Sequence, residues 1–101
     1  MRFRRDGFGD LVRRQLDLFA EDDAELVREA EDAERAYDGA ERDEAEEAYG
    51  DYQLVLEAIA DRLGEIRDSY AATLDEDVAA EYERAFVRAA RKRYPKLPSV
   101  F

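Results

Sequence analysis

Glu21–Gly50, EDDAELVREAEDAERAYDGAERDEAEEAYG, is the stretch that decides the fold. It contains fourteen acidic residues and three arginines, so its net charge of −11 equals that of the whole 101-residue chain. Most of its apolar residues are alanine, and their spacing is more regular than that of a disordered acidic segment. We therefore expect this stretch to be helical, forming the tip of a helical hairpin that is too thin to hold a core by itself.

The first half of the hairpin is predicted from a seam of apolar residues that runs from Val12 to Ala40. Its members recur at alternating steps of four and three, as they do where two helices pack together. Only Asp23 interrupts the seam, so Glu21–Asp23 is either a local kink or a cap between two helices. Asp38-Gly39 then supplies a helix stop.

The second half is predicted from a similar seam between Ala45 and Tyr70. Gly50 and Gly64 lie inside this helix, where glycine is unfavourable, and we interpret them as sites of tight helix crossing. Two helices of similar length joined by a short turn form an antiparallel hairpin. We place its helices at about residues 8–38 and 42–72.

A shorter third helix is predicted at about residues 76–93. Glu76 and Asp77 suit its positive N-terminus, and Pro95 ends it. We expect it to pack on the open end of the hairpin, where the large apolar residues are concentrated, and to cover a second apolar stripe that includes Leu18 and Leu54. Its basic C-terminal end would then pair with Asp22–Glu25.

These elements make up one helical domain, 1–101, with a basic arm at 1–8 and an extended, proline-containing tail at 94–101. The alanine-faced tip buries little area, and its acids repel one another. Pairing with a second copy in a helical bundle would relieve both problems, so we expect a homodimer. Without a signal peptide or a long apolar run, the chain is expected to be cytoplasmic, without membrane contact.

The residue types present argue against catalysis, so we expect no enzyme activity and no cofactor. The chain has no cysteine and no histidine, which removes thiol chemistry, the commonest general base and the commonest transition-metal ligand. Acid pairs such as Glu31 with Glu34 share a helix face, but bundles that bind two metal ions also use histidine, so we predict no metal site. The net charge argues against direct binding of nucleic acid.

The sequence thus favours a non-enzymatic helical interaction or scaffold protein. The alternatives are a carboxylate-rich metal-binding bundle, which metal analysis would reveal, and an acidic mimic of nucleic acid. A protein partner could bind either the acidic tip or the C-terminal tail. The candidate partner-binding residues are Tyr37, Tyr49, Arg91, Arg93, Tyr94, Leu97, Val100 and Phe101. The tail could instead fold back, so that Leu97 and Phe101 cover their own bundle.

Overall fold

The computed structural model describes residues 7–99 and 101, and every regular element in this part of the chain is a helix. The prediction of an all-helical protein is confirmed. The Glu41–Glu44 turn shortens the second predicted helix at its start. The helices are α1 (Gly9–Asp22), α2 (Ala24–Asp38), α3 (Ala45–Ala71) and α4 (Glu76–Arg93).

The helix predicted at 8–38 is divided at Asp23. The backbone of Asp23 has φ −112° and ψ 38°, outside the α-helical region. The hydrogen bonding nevertheless continues, because the Asp23 N–H donates to Phe19 (2.8 Å) and its carbonyl accepts from Val27 (3.1 Å). The Asp23 carboxylate lies 3.3 Å from Nε of Arg62 on α3, as an ion pair without the geometry of a hydrogen bond. The acid on the seam therefore marks a kink, and it is paired across helices.

The molecule is elongated, 55 × 24 × 22 Å, and its core occupies only part of that length. The largest helix contact is between α2 and α3, while α4 packs on α3 and α1. No residue of α2 is fully buried. The core side chains come mainly from the other three helices and the C-terminal segment: Val12, Leu16, Phe19, Ile59, Leu63, Ala71, Tyr82, Phe86, Ala90 and Leu97.

Two expectations about α3 and its neighbours are wrong. A Cβ at Gly50 would meet no atom within 4 Å, and one at Gly64 would only touch the Arg67 guanidinium at 3.6 Å, so neither glycine marks a tight crossing. Leu18 and Leu54 remain 51% and 65% exposed. Leu18 follows the buried Leu16 by two positions, and Leu54 follows the buried Tyr52 by two. Two positions rotate a side chain by about 200° around a helix, so both leucines point away from the core face.

The arm predicted at 1–8 lies outside the described residues except for Gly7 and Phe8. Phe8 is half-buried, and its ring packs edge-on against Tyr82 with centroids 5.5 Å apart. Phe8 therefore belongs to the packed part of the molecule.

Candidate partner-binding surfaces

The C-terminal segment, described at residues 94–99 and 101, is folded onto the bundle and is not extended there. The Leu97 N–H donates to the Tyr94 carbonyl and the Phe101 N–H to the Pro98 carbonyl, at 3.2 and 3.1 Å. Leu97 is only 5% exposed and lies in the core. Of the two conformations left open by the sequence, the structure has the one in which the segment covers its own bundle.

Arg91 holds this segment through its backbone. Its guanidinium donates to the carbonyls of Leu97 (3.4 Å), Pro98 (2.9 Å) and Ser99 (3.1 Å). Hydrogen bonds from a charged donor are stronger than neutral ones, so one side chain fixes three consecutive residues. Arg91, predicted as a partner-binding residue, is thus engaged within its own chain.

Phe101 lies between two arginines. The Arg67 and Arg91 guanidinium carbons are 5.3 and 5.7 Å from its ring centroid, and the Phe86 ring is 6.5 Å away. Arg67 also donates to the Phe101 carbonyl at 3.1 Å. Cation–π contacts and the hydrogen bond anchor this residue. Val100 lies outside the described residues.

Arg93 and Tyr94 connect the end of α4 to α1. Arg93 donates to Asp17 at 2.9 Å, and the Tyr94 ring packs edge-on against Phe19 with centroids 6.0 Å apart. Burial raises the pKa of Tyr94, although Arg93 acts in the opposite direction. Lys96 Nζ lies 3.8 Å from Glu34. The basic end of α4 therefore pairs with Asp17 and Glu34, not with Asp22–Glu25 as the sequence led us to expect.

Beyond the end of α4 lies a half-open groove of about 290 Å³, which we call the α2–α3 groove. Arg93, Tyr94, Pro95 and Lys96 close one end of it. A larger concavity of about 760 Å³ follows the bend at Asp23, but acidic residues line most of it. The α2–α3 groove has an apolar floor and an acidic α2 wall, formed by Val27, Ala30, Glu31, Glu34, Tyr52, Leu56 and Ile59.

The α2 side of this groove is acidic, whereas Arg93 and Lys96 make its end wall basic. Burial raises the pKa of Tyr52, and the negative charges of Glu34 and Asp38 raise it further. Glu31 is exposed on the α2 wall, whereas Glu34 is half-buried and lies 3.8 Å from Lys96 Nζ. A cation placed here would gain attraction beside an apolar floor that lowers the local dielectric constant.

A tyrosine cluster extends the groove toward the loop between α2 and α3. The Tyr37 ring centroid is 5.4 Å from that of Tyr49 and 6.4 Å from that of Tyr52. Tyr37 and Tyr49 are 38% and 49% exposed. The two predicted tip residues are thus brought together, and Tyr52 joins them. Tyr52 lies on the predicted apolar seam between Tyr49 and Leu56, and this position could have identified it as a candidate.

A second charged feature lies on α4. Arg84, Arg88 and Lys92 are exposed and spaced four residues apart, which aligns them along one side of the helix. Within the described residues, none of the three lies within ion-pair distance of a carboxylate. We call this line the α4 basic stripe.

Comparison with known protein families, curated proteins and solved structures finds no match. In the described residues, no three acidic side chains converge in a way that could hold a metal ion. Nor does any helix in this part of the chain combine the length and apolar character needed to cross a bilayer. The groove, the tyrosine cluster and the α4 basic stripe are thus the candidate partner-binding surfaces of the described residues.

Proposed function

We propose that this chain is a non-enzymatic helical interaction protein that associates with itself through the face containing the α2–α3 groove. One observation carries the proposal: α2 has no fully buried residue, yet its apolar side chains line a groove that is open in the described part of the chain. The long hairpin formed by α1–α2 and α3 supplies the scaffold, and its distal half supplies the binding surface.

α2 contacts α3 along its length, but none of its side chains is fully buried. Helices of about 12–15 residues are marginal in water on their own, and α2 has 15 residues. Its apolar residues facing the groove, Val27 and Ala30, are only half-buried. Each ~100 Å² of apolar surface that a partner removes from water contributes roughly 2.5 kcal/mol. A helix laid in the groove would therefore stabilise the least protected part of the molecule.

The predicted tail residues have a place in this proposal as the end wall of the groove. Arg93 and Tyr94 line it directly, while Arg91, Leu97 and Phe101 hold the segment that carries them. Tyr37 and Tyr49 extend the surface beyond its other end. A second copy is the occupant we favour, because pairing two hairpins gives a closed helical bundle with two-fold symmetry.

Multi-angle light scattering across micromolar concentrations tests the proposal. We expect the purified protein to show twice the 11.7 kDa chain mass. Ala30→Arg, in the groove, should return it to a monomer, because it fills the groove with a long charged side chain. Ala36→Arg makes the same change at an exposed position of α2 and should leave the mass unchanged. A wild-type monomer at every concentration would defeat the proposal.

A further inference from the structure

The face that carries the groove has the shape of a step. α4 has 18 residues, a length of about 27 Å at 1.5 Å per residue, whereas the molecule is 55 Å long. Where α4 ends, Tyr94–Lys96 forms the end wall of the α2–α3 groove. The half of this face that α4 covers is therefore higher than the other half by the thickness of one helix.

The α4 basic stripe lies on the outer side of the raised half. Arg84 follows the buried Tyr82 by two residues, which turns it about 200° away from the core. Arg88 and Lys92 continue the line at intervals of four residues. Like charges at this spacing destabilise a helix by about 0.2–0.5 kcal/mol per pair, so the stripe is unfavourable without an anionic partner. In a chain with a net charge of −11, anionic surface is abundant.

The lower half offers the complementary chemistry. Glu31 and Glu34 stand on the α2 wall of the groove, and Asp38 follows one turn later. The exposed rings of Tyr37 and Tyr49 lie beyond them, and aromatic faces attract cations. Beyond the basic end wall of Arg93 and Lys96, acids and aromatic rings thus line the lower half, where a basic helix would bind.

We propose that a second copy, turned end for end, seats the outer face of its α4 in the α2–α3 groove. This deepens the proposed self-association, on which it rests, by naming the docking segment and its orientation. The α4 basic stripe of each copy then faces the acidic wall and tyrosine cluster of the other, and two-fold symmetry makes the contact twice. The opposite, parallel arrangement would instead bring the two most acidic stretches together.

Charge reversal tests the geometry. The triple variant Arg84→Glu, Arg88→Glu, Lys92→Glu should weaken self-association at least about tenfold, because attraction becomes repulsion at each contact. The control, Arg14→Glu, Arg28→Glu, Arg42→Glu, changes the net charge equally at exposed positions elsewhere and should have a much smaller effect. The groove variant Glu31→Lys, Glu34→Lys, Asp38→Lys should weaken self-association as much, and both reversed variants are studied at a concentration at which each alone is monomeric. Circular dichroism checks that each variant is folded.

Mixing the two monomeric variants supplies the decisive measurement. We expect the stripe variant and the wall variant to form a one-to-one complex by analytical ultracentrifugation. One contact of this complex joins the reversed stripe to the reversed wall, and the other joins the wild-type wall to the wild-type stripe, so both are complementary. If the stripe variant associates as tightly as its control, or the mixture stays monomeric, the geometry is overturned while self-association stands. A monomeric wild type would overturn both proposals.

Discussion

Replacing Leu97 with alanine should strongly destabilise the protein, although this residue follows the last helix and neighbours a proline. Leu97 is 5% exposed and belongs to the same cluster as Phe86 and Ala90. Buried leucine-to-alanine changes cost about 2–5 kcal/mol, depending on how far the surroundings collapse into the cavity. Because a segment near the chain end can relax, we expect the lower part of this range, about 2–3 kcal/mol.

That loss is large for a small domain, whose total stability is about 5–15 kcal/mol. At about 4–8 °C per kcal/mol for a chain of this size, the melting temperature should fall by about 10–20 °C. Urea unfolding followed by circular dichroism at 222 nm measures the free energy directly. The matched control is Leu54→Ala on α3, where the leucine is 65% exposed, and its effect should stay within about 0.5 kcal/mol.

Equal effects of the two substitutions would refute this reasoning. Leu97 would then contribute no more than an exposed leucine, and the C-terminal segment would be free to dock on a partner. A large effect of Leu97→Ala alone would show that the segment is part of the core. The same comparison should be made at low protein concentration, so that any self-association contributes equally little to both measurements.

Two further predictions concern α3 and the core. Gly50→Ala should raise the free energy of unfolding by about 0.5–1 kcal/mol, because the new methyl group meets open space and the unfolded chain loses freedom; a decrease measured by urea unfolding would contradict this. Burial raises the pKa of Tyr82 above its ordinary value of 10.0, although its hydrogen bond to Gln15 acts in the opposite direction. Because the folded state favours the neutral phenol, Tyr82 makes its full contribution to the free energy of unfolding below about pH 10. That contribution is lost as the pH rises through the pKa of Tyr82 in the folded state. The urea midpoint should therefore fall above about pH 10, and Tyr82→Phe should reduce that dependence, whereas Tyr49→Phe at an exposed position is the control.

Local signals explain why the helices could be predicted from the sequence. The bounds predicted for the third helix agree with α4, since Glu76 and Pro95 act on their own neighbourhood and need no tertiary contact. Asp23 was recognised as an interruption for the same reason. Its consequence, an ion pair with Arg62, joins residues far apart in the chain and depends on how α2 packs on α3. Local pattern locates such a residue but does not identify its partner.

Four residues of the candidate site, Tyr37, Tyr49, Arg93 and Tyr94, were predicted from the sequence. Tyr37 and Tyr49 lie on either side of the turn between α2 and α3, so the contact between these two helices brings them together. The groove depends on where α4 ends relative to Tyr52, and that depends on the packing of α4 against two other helices. The folded C-terminal segment depends on Arg91 reaching three backbone carbonyls, which no spacing of residue types reveals.

The lack of buried residues in α2 has a consequence for the lifetime of the chain. Local opening requires less free energy where few apolar contacts are lost, so α2 should exchange its amide hydrogens and admit a protease before α1, α3 and α4 do. Cleavage within this helix would then depend on how often it opens. A second copy seated in the groove would suppress opening, so degradation would remove unassembled chains first.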